Sequence, residues 1–391
     1  MALLQSYLGE YNNRNVNSPM TPSTEAYLPA YNGQLNLASA FVWSVTRIQV
    51  FMIEVIDNPS TYGVERKVES ELKRLRTDIV DLSQKGSKYQ SEASCPQAIS
   101  RIVNPAGASK DESYLLLDTM TYEGLPYWCS FDLLGRFLSI ISPAPQGATH
   151  HNFYLPLTLM YANWCRKIAP KAPWMYSCAW AGGKDKQSRF HLGASLGGYS
   201  LPKEQGGRWV SILQQARFDI LRDERTDAVG LTIQSSTLRS SKRKPIPYGN
   251  CAETYPLVHL LRNRDPSEEV YGLAVMLRKL PEAAYNHPQA LDTLVRPCSN
   301  CQDVIGIWGG KVENFITDDM PENSTTASSG VQSPISPCPD PRASGFALPT
   351  RIKWPSPEDD TAEPAAKRVK GPAPEISRKP SHLAKRKDKP Q

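Results

Sequence analysis

Two short stretches of this 391-residue chain carry side chains that could do chemistry together. They are Asn250-Cys251-Ala252-Glu253-Thr254 and Arg296-Pro297-Cys298-Ser299-Asn300-Cys301. They offer three thiols and one carboxylate. Zinc in an enzyme usually takes three protein ligands and keeps its fourth position for water or substrate. Cys251, Cys298 and Cys301 are therefore the expected ligands and Zn2+ the expected cofactor. Bound zinc brings the acidity of its water close to neutral pH. A carboxylate outside the ligand set must then relay the proton, and Glu253 stands two residues past the first thiol. A helix starting at Cys251 and another near Cys298 would aim two positive helix ends at the metal and favour thiolates. The alternative is a structural zinc, which would want a fourth protein ligand. His259 is the nearest candidate, but it lies eight residues after Cys251 on the same expected helix, more than two turns away. It reads as an ordinary helix histidine.

Cys-Ala-Glu followed by Pro-Cys-x-x-Cys resembles the zinc-dependent cytidine deaminase-like superfamily. The resemblance covers the two motifs and their immediate surroundings. A Cys in the first position is the variant used by free-nucleoside cytidine deaminases. Thr254 stands where those enzymes often carry Arg, and no segment matches the Asn-rich stretch that grips ribose. What the resemblance implies is a three-layer α/β/α domain with a mixed sheet. It also implies hydrolytic deamination of a nucleobase, cytosine ahead of adenine, in a nucleotide or nucleic acid, with Glu253 as the catalytic acid and base. Two further readings stay open. One is an inactive deaminase-fold nuclear interaction protein with a structural zinc. The other is a toxin-like effector whose N-terminal region recognises a partner or inhibits the catalytic half.

The elements that must position these residues follow from periodicity. Residues 1–34 form a polar leader. Residues 35–150 form a mostly helical region, with an expected helix from Leu35 to Ile56 ended by Asp57-Asn58-Pro59. A second helix over 64–83 carries Val64, Val68, Leu72, Leu75, Ile79 and Leu82 on one face. Residues 151–316 are the expected deaminase-like domain. There the pattern predicts a helix over 155–168, strands over 174–180 and 190–199, a helix over 208–225 and a strand over 228–234. A helix from Cys251 to about Asn263 follows. The next helix is announced by Asp265-Pro266-Ser267-Glu268 and runs to Leu280, with a strand as the runner-up for Val270 onward. A short strand at 293–295 then delivers Pro297-Cys298. His150 and His151 sit in a loop without a spaced partner.

Before the first motif lie Arg239, Lys242, Arg243 and Lys244, which would suit phosphates of a nucleotide or nucleic-acid strand at the rim of the site. Tyr248, Tyr255 and Trp308 are the aromatics available to stack on a base.

Composition bounds the rest. Hydrophobic residues make up 40% and charged residues 21% of the chain, as in a soluble protein with a polar tail. Eight cysteines in so long a chain are no disulfide framework. No charged start with an apolar core suggests a secretory signal, and no apolar run reaches membrane-spanning length, so no membrane partner is expected. Net charge is +6, but the segment from Ala366 to Gln391 holds nine Lys or Arg against two acidic residues, and the remainder sums to about −1. Residues 317–391 read as a disordered Pro- and Ser-rich tail. Within it Lys367, Arg368 and Lys370 resemble a short nuclear import signal, which predicts the import machinery as a partner and the nucleus, otherwise the cytoplasm, as location.

Overall fold

The computed structural model describes residues 27–83, 101–102, 116–169, 172–182, 188–196, 209–234, 246–277, 284–318 and 320. It is a mixture of helix and sheet. The leader before Tyr27, the basic stretch Arg239–Lys244 and the tail with Lys367, Arg368 and Lys370 lie outside the described residues. No described helix is long and apolar enough to cross a membrane.

The segment expected as one helix over 35–56 is two: α1 (Leu37–Phe41) and α2 (Val45–Asp57). Each has its own N-terminal cap. The side chain of Asn36 accepts the Ser39 N–H, and that of Ser44 accepts the Arg47 N–H. α3 (Glu69–Ser83) buries Leu72, Leu75, Ile79 and Leu82, the face that the sequence pattern marks. Two short antiparallel pairs follow, β1 (Arg101–Ile102) with β2 (Leu116–Leu117), and β3 (Met120–Tyr122) with β4 (Leu125–Tyr127). α4 (Ser130–Ile140) and α5 (Leu155–Ile168) are buried along nearly their whole length. His150 and His151 begin a single wide turn that leads into α5 and is capped by Thr149 and Asn152.

The principal sheet contains β5 (Met175–Gly182), β6 (Arg189–Ala194), β7 (Glu269–Met276) and β8 (Leu294–Val295), in the order β6-β5-β7-β8. Every described pairing in it is antiparallel, where a mixed sheet was expected. Between β6 and β7 come α6 (Trp209–Asp219), α7 (Glu224–Ala228) and α8 (Thr254–Leu260). α9 (His287–Leu291) precedes β8, and α10 (Ser299–Ile307) follows it.

The register puts Tyr176, Cys178 and Trp180 on one face, opposite Ala194, Leu192 and Phe190. This face meets α5 and the turn before it: Tyr161 packs edge-on against Tyr176, and Tyr154 stacks on Trp180. The other face carries Ala179, Ala181 and Val270, which share a core with Leu257 and Val258 of α8 and Val304 and Ile305 of α10. α4 lies along the outer edge of β6. Ser139 Oγ accepts the Leu192 N–H at 3.0 Å, and a side chain at Gly135 would meet the Leu192 carbonyl. An edge strand is thereby covered. The core of the first face runs without interruption into α1, α2 and α3.

Two expected elements are replaced. The strand over 228–234 is absent, because Asp223 and Thr226 form a reciprocal cap that starts α7, and Gly230 then turns the chain with a positive φ. The helix announced at Asp265-Pro266 is a turn, in which Asp265 Oδ1 accepts the Ser267 N–H at 2.8 Å. The chain beyond it is β7, buried on both faces at Leu273 and Ala274.

Candidate metal centre

Cys251 and Glu253 lie in the turn before α8, which begins at Thr254 and not at Cys251 as expected. Cys298 caps α10, so its sulfur sits at the positive end of that helix. Four hydrogen bonds bring the two turns together and shape them. Asn300 Nδ2 donates to the Ile246 carbonyl at 2.6 Å, and the Tyr248 hydroxyl donates to Asp303 at 2.6 Å. Gln302 Nε2 reaches back to the Pro297 carbonyl at 2.8 Å. The Thr254 hydroxyl closes the first turn onto the Cys251 carbonyl at 2.9 Å.

The result is the predicted convergence of thiols. Cys251 Sγ lies 3.3 Å from Cys298 Sγ, and Cys298 Sγ lies 3.6 Å from Cys301 Sγ. All three sulfurs are within 4.8 Å of one another, and they could hold a metal ion. Among the described residues no second group of three His, Cys, Asp or Glu side chains meets in this way, so His150 and His151 belong to none. His259 is not part of this group; it stacks on His191 at 3.9 Å and bonds the Tyr127 hydroxyl at 2.7 Å.

Charge in the cluster is unevenly shared. Hydrogen bonds with the Cys251 and Cys301 thiols, followed by backbone N–H groups of Cys301 and Asn300, hold the Cys298 thiol well below its ordinary range. The contact with Cys298 pushes Cys251 up, and contacts with Cys251 and then Cys298 push Cys301 up. Of the three thiols, Cys298 is the one favoured to ionise. Burial, and then the negative Cys298, lift the Glu253 carboxyl to about 7, against the opposing pull of a hydrogen bond with the Cys301 thiol.

Of the aromatics expected to stack on a base, Tyr248 lines the cleft beside the sulfurs, while Tyr255 and Trp308 are committed elsewhere. Tyr248 is held by Asp303, Tyr255 stacks on Tyr127 and donates to the Pro126 carbonyl, and Trp308 is buried in the core behind α8 and α10. The sequence reading also passed over Asn250, whose side chain is 4% exposed while neither amide atom has a hydrogen-bond partner. Its place directly before Cys251 was the only signal. A small cleft lined by Tyr248, Cys251, Thr254, Asn300 and Cys301 lies beside the sulfurs.

The His191–His259 pair joins β6 to α8, the helix that follows Glu253. Burial holds both imidazoles well below their ordinary range, with Arg136 adding to the effect at each and His191 also at His259. Above the unfolded value of about 6.5 both states are neutral and the pair has no pH dependence. Below it the unfolded chain takes up protons that the folded one resists. Stability should therefore fall as pH drops below about 6.5, with a slope of up to about 2.7 kcal/mol per pH unit for two histidines. Denaturant unfolding between pH 7.5 and 5 measures this, and His191→Phe/His259→Leu should flatten the slope. No family model, no curated protein and no solved structure matches this chain.

Proposed function

We propose that this chain is a zinc-dependent hydrolytic deaminase acting on a nucleobase, cytosine ahead of adenine, in a nucleotide or nucleic acid. The observation that carries the reading is the meeting of three sulfurs from two separate motifs with the Glu253 carboxyl beside them. Thiolate ligands favour zinc over magnesium or calcium. A tetrahedral zinc with sulfurs at about 2.3 Å sets them about 3.8 Å from one another. The separations of 3.3 and 3.6 Å are close to that spacing. Three thiols leave one corner of the tetrahedron for a ligand from outside the protein. Helices against both faces of the sheet are compatible with a three-layer deaminase-like domain.

When bound, zinc supplies a water acidic enough to react near neutral pH. The chain's own residues do the rest. Glu253 accepts a proton from that water and delivers it to the ring nitrogen. The water oxygen bonds the ring carbon that carries the amine; Glu253 then takes the second proton of that oxygen and passes it to the amine, the C–N bond breaks, the oxygen becomes the new carbonyl and ammonia leaves. A carboxyl lifted to about 7 is matched to both halves of that transfer. Asn250, buried with an unused donor and an unused acceptor, has the groups needed to hydrogen-bond the polar edge of a base. Arg239, Lys242, Arg243 and Lys244 would meet the phosphates.

The test is ammonia release by the zinc-loaded full chain from cytidine monophosphate, single-stranded DNA and single-stranded RNA, with sequencing of the polymers for C-to-U change. A zinc-loaded protein that releases no ammonia from any of them would remove the turnover. The second reading, a metal-holding interaction protein, would then stand; the small size of the cleft beside the sulfurs favours it. The Lys367, Arg368 and Lys370 cluster is proposed to direct nuclear import. Replacing these three residues by alanine should move a fluorescent fusion from nucleus to cytoplasm, and an unchanged distribution would discard the assignment.

A further inference from the structure

The loop that delivers Cys251 is pinned at three consecutive carbonyls. Arg217 Nε donates to the Gly249 carbonyl at 2.6 Å, the Leu196 N–H donates to the Asn250 carbonyl at 2.9 Å, and Arg217 Nη2 donates to the Cys251 carbonyl at 3.2 Å. The same Nη2 reaches the Ala194 carbonyl at the end of β6, at 3.0 Å. Nη1 is paired with Asp132 of α4, and the guanidinium lies 5.1 Å from the centre of the Tyr255 ring. Arg217 is 2% exposed and Asp132 is 3% exposed. One planar fork thus ties α4, β6 and the loop before α8 to a single point. Gly249, with φ +86°, runs so close to the Arg217 backbone that a side chain there would collide with it.

We propose that Arg217, oriented by Asp132, is the positioning residue of the metal loop: it sets the direction of Cys251 and of the adjoining Asn250 by fixing the carbonyls on either side. Its role rests on the reading of the three cysteines as metal ligands. A structural ion pair alone would need only the Asp132 contact. Beyond Asp132 the fork donates to two carbonyls of the loop and to Ala194 of β6, and the ligand residue is among those held. A lysine has one nitrogen and no fork, so it cannot bond Gly249, Ala194 and Cys251 together while paired with Asp132.

The test uses the full chain freed of metal and titrated with Co2+ as the spectroscopic probe, together with amide exchange over residues 249–253. Arg217→Lys should lose cobalt affinity by about 10- to 100-fold, the range found when a residue that orients a ligand is removed. It should also speed exchange in that segment. Arg217→Met/Asp132→Leu removes both charges at similar volume, an exchange that buried ion pairs often tolerate. It should melt near wild type and yet show the same two losses. Leu75→Ala in α3 is the control, lowering stability without changing either readout. Cobalt affinity and local exchange that stay at wild-type values, or that shift as far in Leu75→Ala, overturn the proposal. Arg217→Lys decides alone if the double variant does not fold. Wild type that binds neither cobalt nor zinc would remove the metal reading instead, and the exchange measurement would still decide whether Arg217 holds the loop.

Discussion

Replacing Cys298 with serine is expected to abolish stoichiometric zinc binding, with a loss of affinity greater than the roughly 100-fold upper end seen for residues that only support a ligand. Of the three cysteines it should have the largest effect, for a reason visible before any metal arrives. Its thiol is the one drawn down, by hydrogen bonds with both neighbouring thiols and by backbone N–H groups at the amino end of α10. The other two can hand over their protons only as a cation replaces Cys298 as their partner. Serine at 298 would leave two buried thiols and remove the one that is drawn down. Zinc content measured with a chromogenic chelator after gel filtration gives the answer. Cys251→Ser and Cys301→Ser should each weaken binding as well. The fold should survive in all three, since the cores on the two sheet faces are built from other residues. One zinc per chain in Cys298→Ser would show that the sulfurs do not act as a set.

The sulfurs were legible because the information is local. Pro297, Cys298 and Cys301 share one tight turn, and thiol chemistry narrows what such a turn can do. The helix over 155–168 was legible for a similar reason, since a long periodic run dominates its own conformation. β7 misled because Asp265-Pro266 opens a turn with the same residues that open a helix, and a strand buried on both faces shows no alternation. The strand expected at 228–234 failed on a contest between neighbours. Asp223 and Thr226 satisfy each other's backbone and nucleate a helix where the apolar pattern suggested extension. Arg217 is the more instructive omission. It stands four residues after the buried Leu213 and next to the buried Ala216, so it lies on the apolar side of its helix. A charge on such a face must find a partner inside, and that was the available signal. The partner, Asp132, is 85 residues away, and only the folded chain reveals it.

Glu253→Gln should keep zinc bound and lower deamination by about 10²- to 10⁴-fold, the usual contribution of a positioned acid and base. The metal is retained because Glu253 is not among the three sulfur ligands, and the amide has nearly the same volume as the acid. The reaction is lost because an amide can neither accept the proton of the water nor return it to the leaving amine. The pH dependence gives an independent check. With the carboxyl at about 7 in the metal-free protein, the ionised form grows as pH rises through that value. Zinc brings two positive charges but binds three thiolates, so the loaded cluster still carries one net negative charge beside the carboxyl, and the rising limb of the wild-type profile should stay near 7. Glu253→Asp, which keeps an acid but withdraws it by one methylene, should retain part of the rate along with that limb. Glu253→Gln should keep neither. A zinc-loaded Glu253→Gln that releases ammonia at the wild-type rate would take the proton relay away from Glu253 and leave the three sulfurs as a metal site without the acid that the proposed reaction requires.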